Sequence, residues 1–285
     1  TIIFSIIAIV YFTVLNPQAG TGNITQTEIS MVHTFFNIAT TVMLFPASNL
    51  IVKIAKKIGR VDEDANDPGT VLLDERMLQT PSIALQSVIK ETVRMGEIVR
   101  RSIEVAKDVL YTQDQEAIDI LKNDESDVDR LCAGITNYTI KLSSLQISEK
   151  EHQEAAHLLQ VLSDMERVSD YCENISEFAE TLRDKKASFS ETAKKQLKEM
   201  IEETAKSYFY ALDAFKEQSH EKALRVIEKE TKVDDLEVKL RSRHIKRLSN
   251  NECNTEAGIV FLDTLVCMER ISDHARNIAE EVLEE

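Results

Sequence analysis

The feature of this sequence that most constrains its fold is an internal duplication. The stretch DMERVSDYCENISEFA (164–179) matches CMERISDHARNIAEEV (267–282), with Met-Glu-Arg, Val/Ile-Ser-Asp and Asn-Ile in register. A second piece recurs upstream of each copy, ESDVDRL (125–131) before the first and ETKVDDL (230–236) before the second. Glu230 follows Glu125 by 105 residues, and Glu269 follows Glu166 by 103. These nearly equal offsets predict two structural units of similar length and not a long solenoid.

Both units are predicted to be helical. The 285 residues include only 7 Gly and 4 Pro and no Trp, a composition that suits long helices and argues against a loop-rich β fold. Pro81, Ser148 with Glu151, and Ser190 are typical of helix starts. From Pro81 onward, apolar residues recur at intervals of three and four. We therefore expect an all-α domain of two three-helix units, in which short connections make neighbouring helices antiparallel. After the helix that starts at Pro81, further helices are expected near 114–147, 150–185, 190–217, 220–249 and 254–284.

Two apolar runs precede this helical region. Residues 1–15 carry no charge, and the run from about 29 to 54 is uncharged unless His33 is protonated. The first run is shorter than the roughly 20 residues of a membrane span, so we interpret it as a membrane helix cut at its front. A signal peptide is the alternative, although a basic start is missing and a second apolar run follows. The basic cluster Lys53–Arg60 comes next, and the positive-inside rule places that end in the cytoplasm.

The second apolar run contains a polar pair. His33 and Asn37 are four residues apart, so they lie on one face of a helix. One interpretation is a polar stripe that lines a transport path, because polar groups are costly in lipid. The other interpretation is helix–helix packing near the membrane interface. The sequence leaves both open.

The part of the chain after the apolar runs is strongly acidic. Residues 1–60 hold 4 of the chain's 34 basic residues and 1 of its 49 acidic residues, which leaves 30 basic and 48 acidic residues in 61–285. A surface with this balance repels nucleic acid and anionic lipid and is suited to cations or basic partners.

Each repeat carries two pairs of acidic residues spaced by four, so both carboxylates of a pair project from one helix face. Two such pairs on adjacent antiparallel helices predict a carboxylate cluster that oxygen-preferring cations would neutralise. The bland alternative is a solvated helix face with Arg167 and Arg270 as ion-pair partners. The recurrence of the pairs in both repeats favours the metal site. The candidate metal ligands are Glu125, Asp129, Glu166, Asp170, Glu230, Asp234, Glu269 and Asp273.

These acid-x-x-x-Asp motifs, with Met-Glu-Arg-[Val/Ile]-Ser-Asp and the following Asn-Ile, resemble the PhoU domain over about residues 83–285. The resemblance implies a pair of three-helix bundles, with repeats at about 83–185 and 190–285. It also implies that metal ions, with iron or manganese as the candidates, bind through these motifs. VHTFFNI (32–38) and LFP (44–46) are similar to the last membrane helices of bacterial sodium/phosphate cotransporters. The glutamine- and serine-rich transport motifs of that family are not among these residues.

The resemblances predict a multi-pass protein of the inner membrane. Residues 1–60 would be the last transmembrane helices, 61–82 an acidic linker and 83–285 a cytoplasmic PhoU-like domain. The expected function is sodium-dependent phosphate transport (symport) with regulation by the metal-binding domain, and no enzymatic activity. Expected partners are membrane lipid, phosphate and sodium through the full-length protein, and a protein partner or second copy, but no nucleic acid.

Two other classes of function remain as alternatives. The first is a membrane-anchored helical signalling or scaffold protein without transport. The second is a helical-bundle metalloenzyme. Di-iron bundles use Glu-x-x-His pairs, whereas Asp closes each acidic pair here, which disfavours the enzyme.

Overall fold

Six long α-helices dominate the part of the chain that the structure, a computed structural model, describes: residues 68–250 and 253–284. A short 3-10 helix, Glu75–Gln79, precedes them. The helices confirm the all-α prediction, and each begins within one residue of its predicted start. They are α1 (Pro81–Thr112), α2 (Gln115–Ser143), α3 (Glu149–Asp184), α4 (Glu191–Glu217), α5 (His220–Ser249) and α6 (Thr255–Glu284).

The predicted membrane segments fall outside the described residues. This applies to both apolar runs, to His33 and Asn37, and to the basic cluster Lys53–Arg60. In 68–250 and 253–284, none of the helices has the combined length and apolarity that crossing a bilayer requires.

The helix starts follow the capping chemistry of the sequence. Ser148 and Glu151 form a reciprocal capping box at the start of α3, as predicted. Ser190 caps α4 by accepting a hydrogen bond from a backbone N–H of the first turn. The first helix of each repeat also ends in the same way. Gln113 and Gln218, which are 105 residues apart, both adopt the left-handed conformation, with φ of 52° and 51°.

The helices pack as two bundles, α1–α3 and α4–α6, which meet along α1 with α4 and along α3 with α6. The crossing of α1 and α4 is close because it falls at a glycine. A Cβ on Gly96 would lie 2.5 Å from Cδ1 of Leu212. Beside it, the buried Tyr208 hydroxyl donates a hydrogen bond to the Gly96 carbonyl at 3.2 Å. The aliphatic core is therefore continuous from one bundle to the other.

A buried polar network joins α3 of the first bundle to α6 of the second. Asp164, only 3% exposed, accepts hydrogen bonds from His274 Nδ1 at 2.7 Å and Asn277 Nδ2 at 2.9 Å. Gln160 donates a third from its own helix at 3.0 Å. The His274 ring also stacks on Tyr171 of α3, with ring centroids 5.9 Å apart. These contacts fix the register between the two bundles.

The segment that leads into α1 lies along the outer side of α1 and α2. Arg94 of α1 donates to the carbonyls of Pro68 and Thr70, both at 2.6 Å. The Leu72 backbone N–H donates to Glu91 at 3.2 Å. The chain is thus held against the first bundle before its helices begin.

A buried histidine in the second bundle predicts acid sensitivity. His244 is 2% exposed and stacks on Phe261, and burial together with the nearby Arg247 lowers its pKa below 6.5. The unfolded chain therefore takes up this proton first as pH falls, so the stability contributed by neutral His244 is present above about pH 6.5 and lost below it. We expect urea unfolding midpoints to fall between about pH 7.5 and pH 5.5.

The histidine is tested by substitution. His244→Phe keeps the ring stack and should flatten the pH dependence, whereas His152→Gln at an exposed position should leave it unchanged. An equal pH slope in wild type and His244→Phe would assign the acid sensitivity to other groups.

Candidate metal centre

The first acidic cluster forms where α2 and α3 run antiparallel. Glu125 and Asp129 project from α2, and Asp170 projects from α3. One carboxylate oxygen of each lies within 4.8 Å of the others. Glu125 and Asp170 are partly buried, and Asp129 is exposed at the mouth of the groove. Three carboxylates at this separation can share one cation through oxygen ligands.

The electrostatics of the first cluster favour a bound cation or proton. Burial first, and then the neighbouring Asp129, Glu173 and Asp170, together raise the pKa of Glu125 to about 7. Burial also raises the pKa of Asp170, against the opposing effect of Arg167, whose Nη1 lies 3.1 Å from its Oδ2. Without added positive charge, one ionised carboxylate in the cluster therefore disfavours ionisation of the other two.

The second acidic cluster repeats this arrangement between α5 and α6. Glu230, Asp234 and Asp273 bring one oxygen each within 4.8 Å of the others. Glu230 is 6% exposed. Burial, then Glu230 and Asp273, raise the pKa of Asp234, and its buried Oδ1 has no hydrogen-bond partner in the structure. A buried carboxylate oxygen without a donor is the kind of atom that a cation would satisfy.

One charged residue beside each cluster differs in sign between the repeats. Arg276 of α6 donates from Nη1 to Glu230 at 2.8 Å and from Nε to Glu280 at 2.7 Å. The residue 103 positions earlier is Glu173, which adds negative charge beside the first cluster. Among the described residues, the first cluster is therefore paired with one arginine, Arg167 on Asp170. The second is paired with two, Arg270 on Asp273 and Arg276 on Glu230.

Each cluster contains three of the four predicted carboxylates. Glu166 and Glu269 lie outside the groups that meet within 4.8 Å. Each precedes the grouped aspartate of its helix by four residues, so it lies one turn away along the groove. Each also lies beside an arginine, at 3.7 Å from Arg167 and 3.5 Å from Arg270 respectively. Burial raises the pKa of both, so they can still receive charge that enters the groove.

A third group of donors was not predicted from the sequence. His157 of α3 meets Glu281 and Glu284 of α6, with one donor atom of each within 4.8 Å of the others. His157 lies more than 120 positions before the two glutamates, and the repeat does not relate them to it. The group therefore becomes visible only in the packing of α3 on α6. The role of Arg276 was also not predicted, because an arginine within an acidic motif is expected to form an ion pair at the surface.

The donor set of the two acidic clusters fits an oxygen-preferring cation. Every grouped side chain is a carboxylate, and neither histidine nor cysteine is present in either group. Carboxylate oxygens bind Mg²⁺, Ca²⁺, Mn²⁺ and iron, whereas copper and zinc more often use imidazole or thiolate. The residues therefore fit the metal that the motifs imply.

Comparison with known proteins identifies the family to which this fold and these motifs belong. The PhoU domain family matches the chain twice, at residues 92–179 and 197–282. The chain belongs to the PhoU domain family. The two matches coincide with the two bundles, and each includes both acid-x-x-x-Asp motifs of its repeat.

Several known proteins are similar to this chain in sequence. The protein named "Putative inorganic phosphate export protein YjbB" of Escherichia coli (strain K12) is 24% identical over 288 residues, which cover 99% of this chain and 52% of that protein. Its namesake in Salmonella typhimurium is 24% identical over 257 residues, or 89% and 47%. The chain thus spans about half the length of these two relatives. A PhoU homologue of the phosphate-specific transport system in Xylella fastidiosa (strain 9a5c) is 28% identical over 200 residues, covering 70% of this chain and 83% of the homologue.

Solved structures share the fold. The crystal structure of PhoU from Pseudomonas aeruginosa has a TM-score of 0.66 and 22% sequence identity, and covers 71% of this chain and 96% of its own. The PhoU structure from Streptococcus pneumoniae gives a TM-score of 0.64 at 19% identity, with 72% and 95% covered. The helical bundle fold of the PhoU domain is therefore the fold of the part of this chain that the structure describes.

Proposed function

We propose that this chain is the C-terminal part of a phosphate transport protein of the inner membrane, in which the PhoU domain regulates transport from the cytoplasmic side. In this proposal, residues 1–60 are the last transmembrane helices, and the whole protein is of the sodium/phosphate cotransporter kind. The role of the described domain is to bind metal ions and a partner, not to catalyse a reaction.

The observation that carries this proposal is the extent of one match. The likeness to the Escherichia coli relative covers 99% of the chain, so it includes the apolar N-terminal region as well as the PhoU domain. A shared PhoU domain alone would give a match of the kind seen in Xylella fastidiosa, which covers 70%. The relative's name contains phosphate export, which supports phosphate as the transported ion. Sodium coupling is supported by the likeness of residues 32–46 to cotransporter helices.

The acidic clusters supply a route for regulation. Each lies in a groove between two helices of one bundle, so a bound cation would tie α2 to α3 or α5 to α6. Without a cation, the carboxylates repel one another across the same groove. Metal occupancy would therefore bias how tightly each bundle is closed, and a transporter attached to it could respond to that difference.

Transport by the full-length protein tests this proposal. We expect proteoliposomes that contain it to move radiolabelled phosphate and the flux to depend on a sodium gradient. The double variant Asp129→Asn with Asp170→Asn should change the flux several-fold by removing the first cluster. Glu116→Gln, an exposed acid on the same helix outside the cluster, should leave it unchanged.

Two results would overturn parts of the proposal separately. No phosphate movement in either direction, with or without sodium, would contradict transport and favour a signalling or scaffold protein. Normal flux in the Asp129→Asn, Asp170→Asn double variant would contradict regulation through the first cluster while leaving transport intact.

A further inference from the structure

The C-terminal half of α5 carries a row of exposed cations in an otherwise acidic domain. Residues 238–250 include five basic residues and no acidic one. Lys239, Arg243 and Lys246 are exposed and spaced by four and three residues, so they line one helix face. No hydrogen bond or ion pair joins these three side chains to any other residue in the described part of the chain. The other two basic residues are engaged, Arg241 by Glu237 and Arg247 by Gln196.

The first repeat shows what covers the corresponding face. The residues 105 positions earlier are Gly134, Tyr138 and Lys141 on α2. A Cβ on Gly134 would lie 2.3 Å from Cγ2 of Val71, so valine packs directly on this glycine.

The contacts continue along the helix. The Tyr138 hydroxyl donates to the carbonyl of Asp74 at 3.0 Å, and Lys141 pairs with Glu75 at 2.6 Å. Residues 71–75 of the chain itself therefore cover the outer end of α2. The matching face of α5 is exposed.

We propose that the Lys239–Arg243–Lys246 face of α5 binds an acidic segment of a partner protein, seated as residues 71–75 are seated on α2. The differences between the two faces specify the chemistry of that segment. Lys239 replaces the glycine against which Val71 packs, so an incoming chain must lie farther from the helix there and meets the ammonium group at the end of the lysine side chain. Arg243 replaces Tyr138, and its planar guanidinium can donate two parallel hydrogen bonds to one carboxylate. Lys246 retains the role of Lys141.

The bound segment therefore carries carboxylates at the positions of Val71, Asp74 and Glu75. The contacts made by the start of the segment, residues 68–70, have no equivalent in the second repeat. Arg94 and Arg130, beside the start of that segment in the first repeat, correspond to Glu199 and Asp235 in the second. Those two acids would repel an acidic chain, so binding is confined to the outer end of α5. The net negative charge of the domain does not prevent acidic ligands from binding at this face, because charges more than about 10 Å away are screened.

A designed peptide tests the proposal. The probe is PGTDLLDERMLQT, the sequence of residues 68–80 with aspartate in place of Val71, labelled with fluorescein and titrated with the full chain at low salt. We expect saturable binding by fluorescence anisotropy that weakens as salt rises. The control probe PGTNLLNQRMLQT, in which amides replace the three acids, should bind at least about tenfold more weakly, as expected when three charged contacts are lost.

Two matched triple variants separate this face from general electrostatics. Lys239→Glu with Arg243→Glu and Lys246→Glu should weaken binding of the acidic probe at least about tenfold. The control carries the same charge change at Lys90, Lys150 and Lys185, which are exposed elsewhere, and should bind as wild type does. Both variants change exposed side chains, and their melting temperatures verify that the fold is kept.

Three outcomes would overturn the proposal. One is failure of the acidic probe to bind wild type at low salt. Another is equal weakening in both triple variants, which would mean non-specific attraction. The last is loss of binding to phosphatidylglycerol vesicles in the α5 variant while probe binding is unchanged, which would make the face a lipid contact.

Discussion

Adding iron(II) or manganese(II) to the metal-free chain should raise its melting temperature, and most of this rise should come from the first acidic cluster. A ligand that binds only the folded state stabilises it by RT ln(1 + [L]/Kd), about 2.7 kcal/mol at a concentration of 100 Kd. Both clusters bring three carboxylates within 4.8 Å. The second already holds the guanidinium of Arg276 on Glu230, and an entering cation must displace or repel it. The first has Glu173 in the corresponding place, which attracts the cation.

Single substitutions should separate the two clusters. Asp170→Asn should weaken the tighter binding event by about 100-fold or more, since it removes a direct ligand, and should abolish most of the thermal shift. Asp273→Asn should have a smaller effect. Arg276→Ala should strengthen the weaker event toward the affinity of the first cluster. The exposed Asp235→Asn, next to Asp234 but outside the cluster, is the matched control.

The measurement is thermal melting with and without metal, beside elemental analysis of the purified chain. Equal affinities in the two clusters, unaffected by Arg276→Ala, would contradict the role of the guanidinium. Absence of bound metal with an unchanged melt would support the alternative of solvated helix faces, in which Arg167 and Arg270 neutralise the acids.

The sequence predicts the helices of this domain well because their signals are local. The capping box of Ser148 and Glu151 and the proline at position 81 mark helix starts within a few neighbouring residues. The pairing of α2 with α3 also follows from the sequence, because short connections force neighbouring helices to be antiparallel. Glu125, Asp129 and Asp170 could therefore be placed in one groove without a structure.

Contacts between distant helices could not be predicted in this way. The donation from Arg276 to Glu230 depends on the rotation of α6 against α5, and a shift of one residue would turn that side chain by about 100°. The net charge of the domain also does not predict where its charged residues lie on the surface. Counting acids over residues 61–285 predicts a surface that repels anions, yet Lys239, Arg243 and Lys246 form a local cationic face. Total charge carries no information about which helix face holds it.

The junction between the bundles gives the prediction with the largest effect on stability. Asp164→Ala should lower the free energy of unfolding by about 2–4 kcal/mol, because it leaves the donors of His274, Asn277 and Gln160 without their shared acceptor in a buried site. Asp164→Asn retains one carbonyl oxygen and should cost less. Asp263→Ala, an exposed acid on α6, is the control and should cost little.

The same substitution should change how the domain unfolds. Asp164 has no counterpart in the second repeat, where Cys267 stands 103 residues later, so the network exists once. Without it, the bundles are held by the apolar contacts at Gly96, by the ion pair of Arg100 with Asp213 and by that of His157 with Glu281. With fewer contacts between the bundles, their unfolding should become less cooperative. Urea denaturation of Asp164→Ala followed by circular dichroism should then show a lower m-value or two steps. A single transition with the wild-type m-value and a loss below about 1 kcal/mol would mean that the remaining contacts are enough to couple the two bundles.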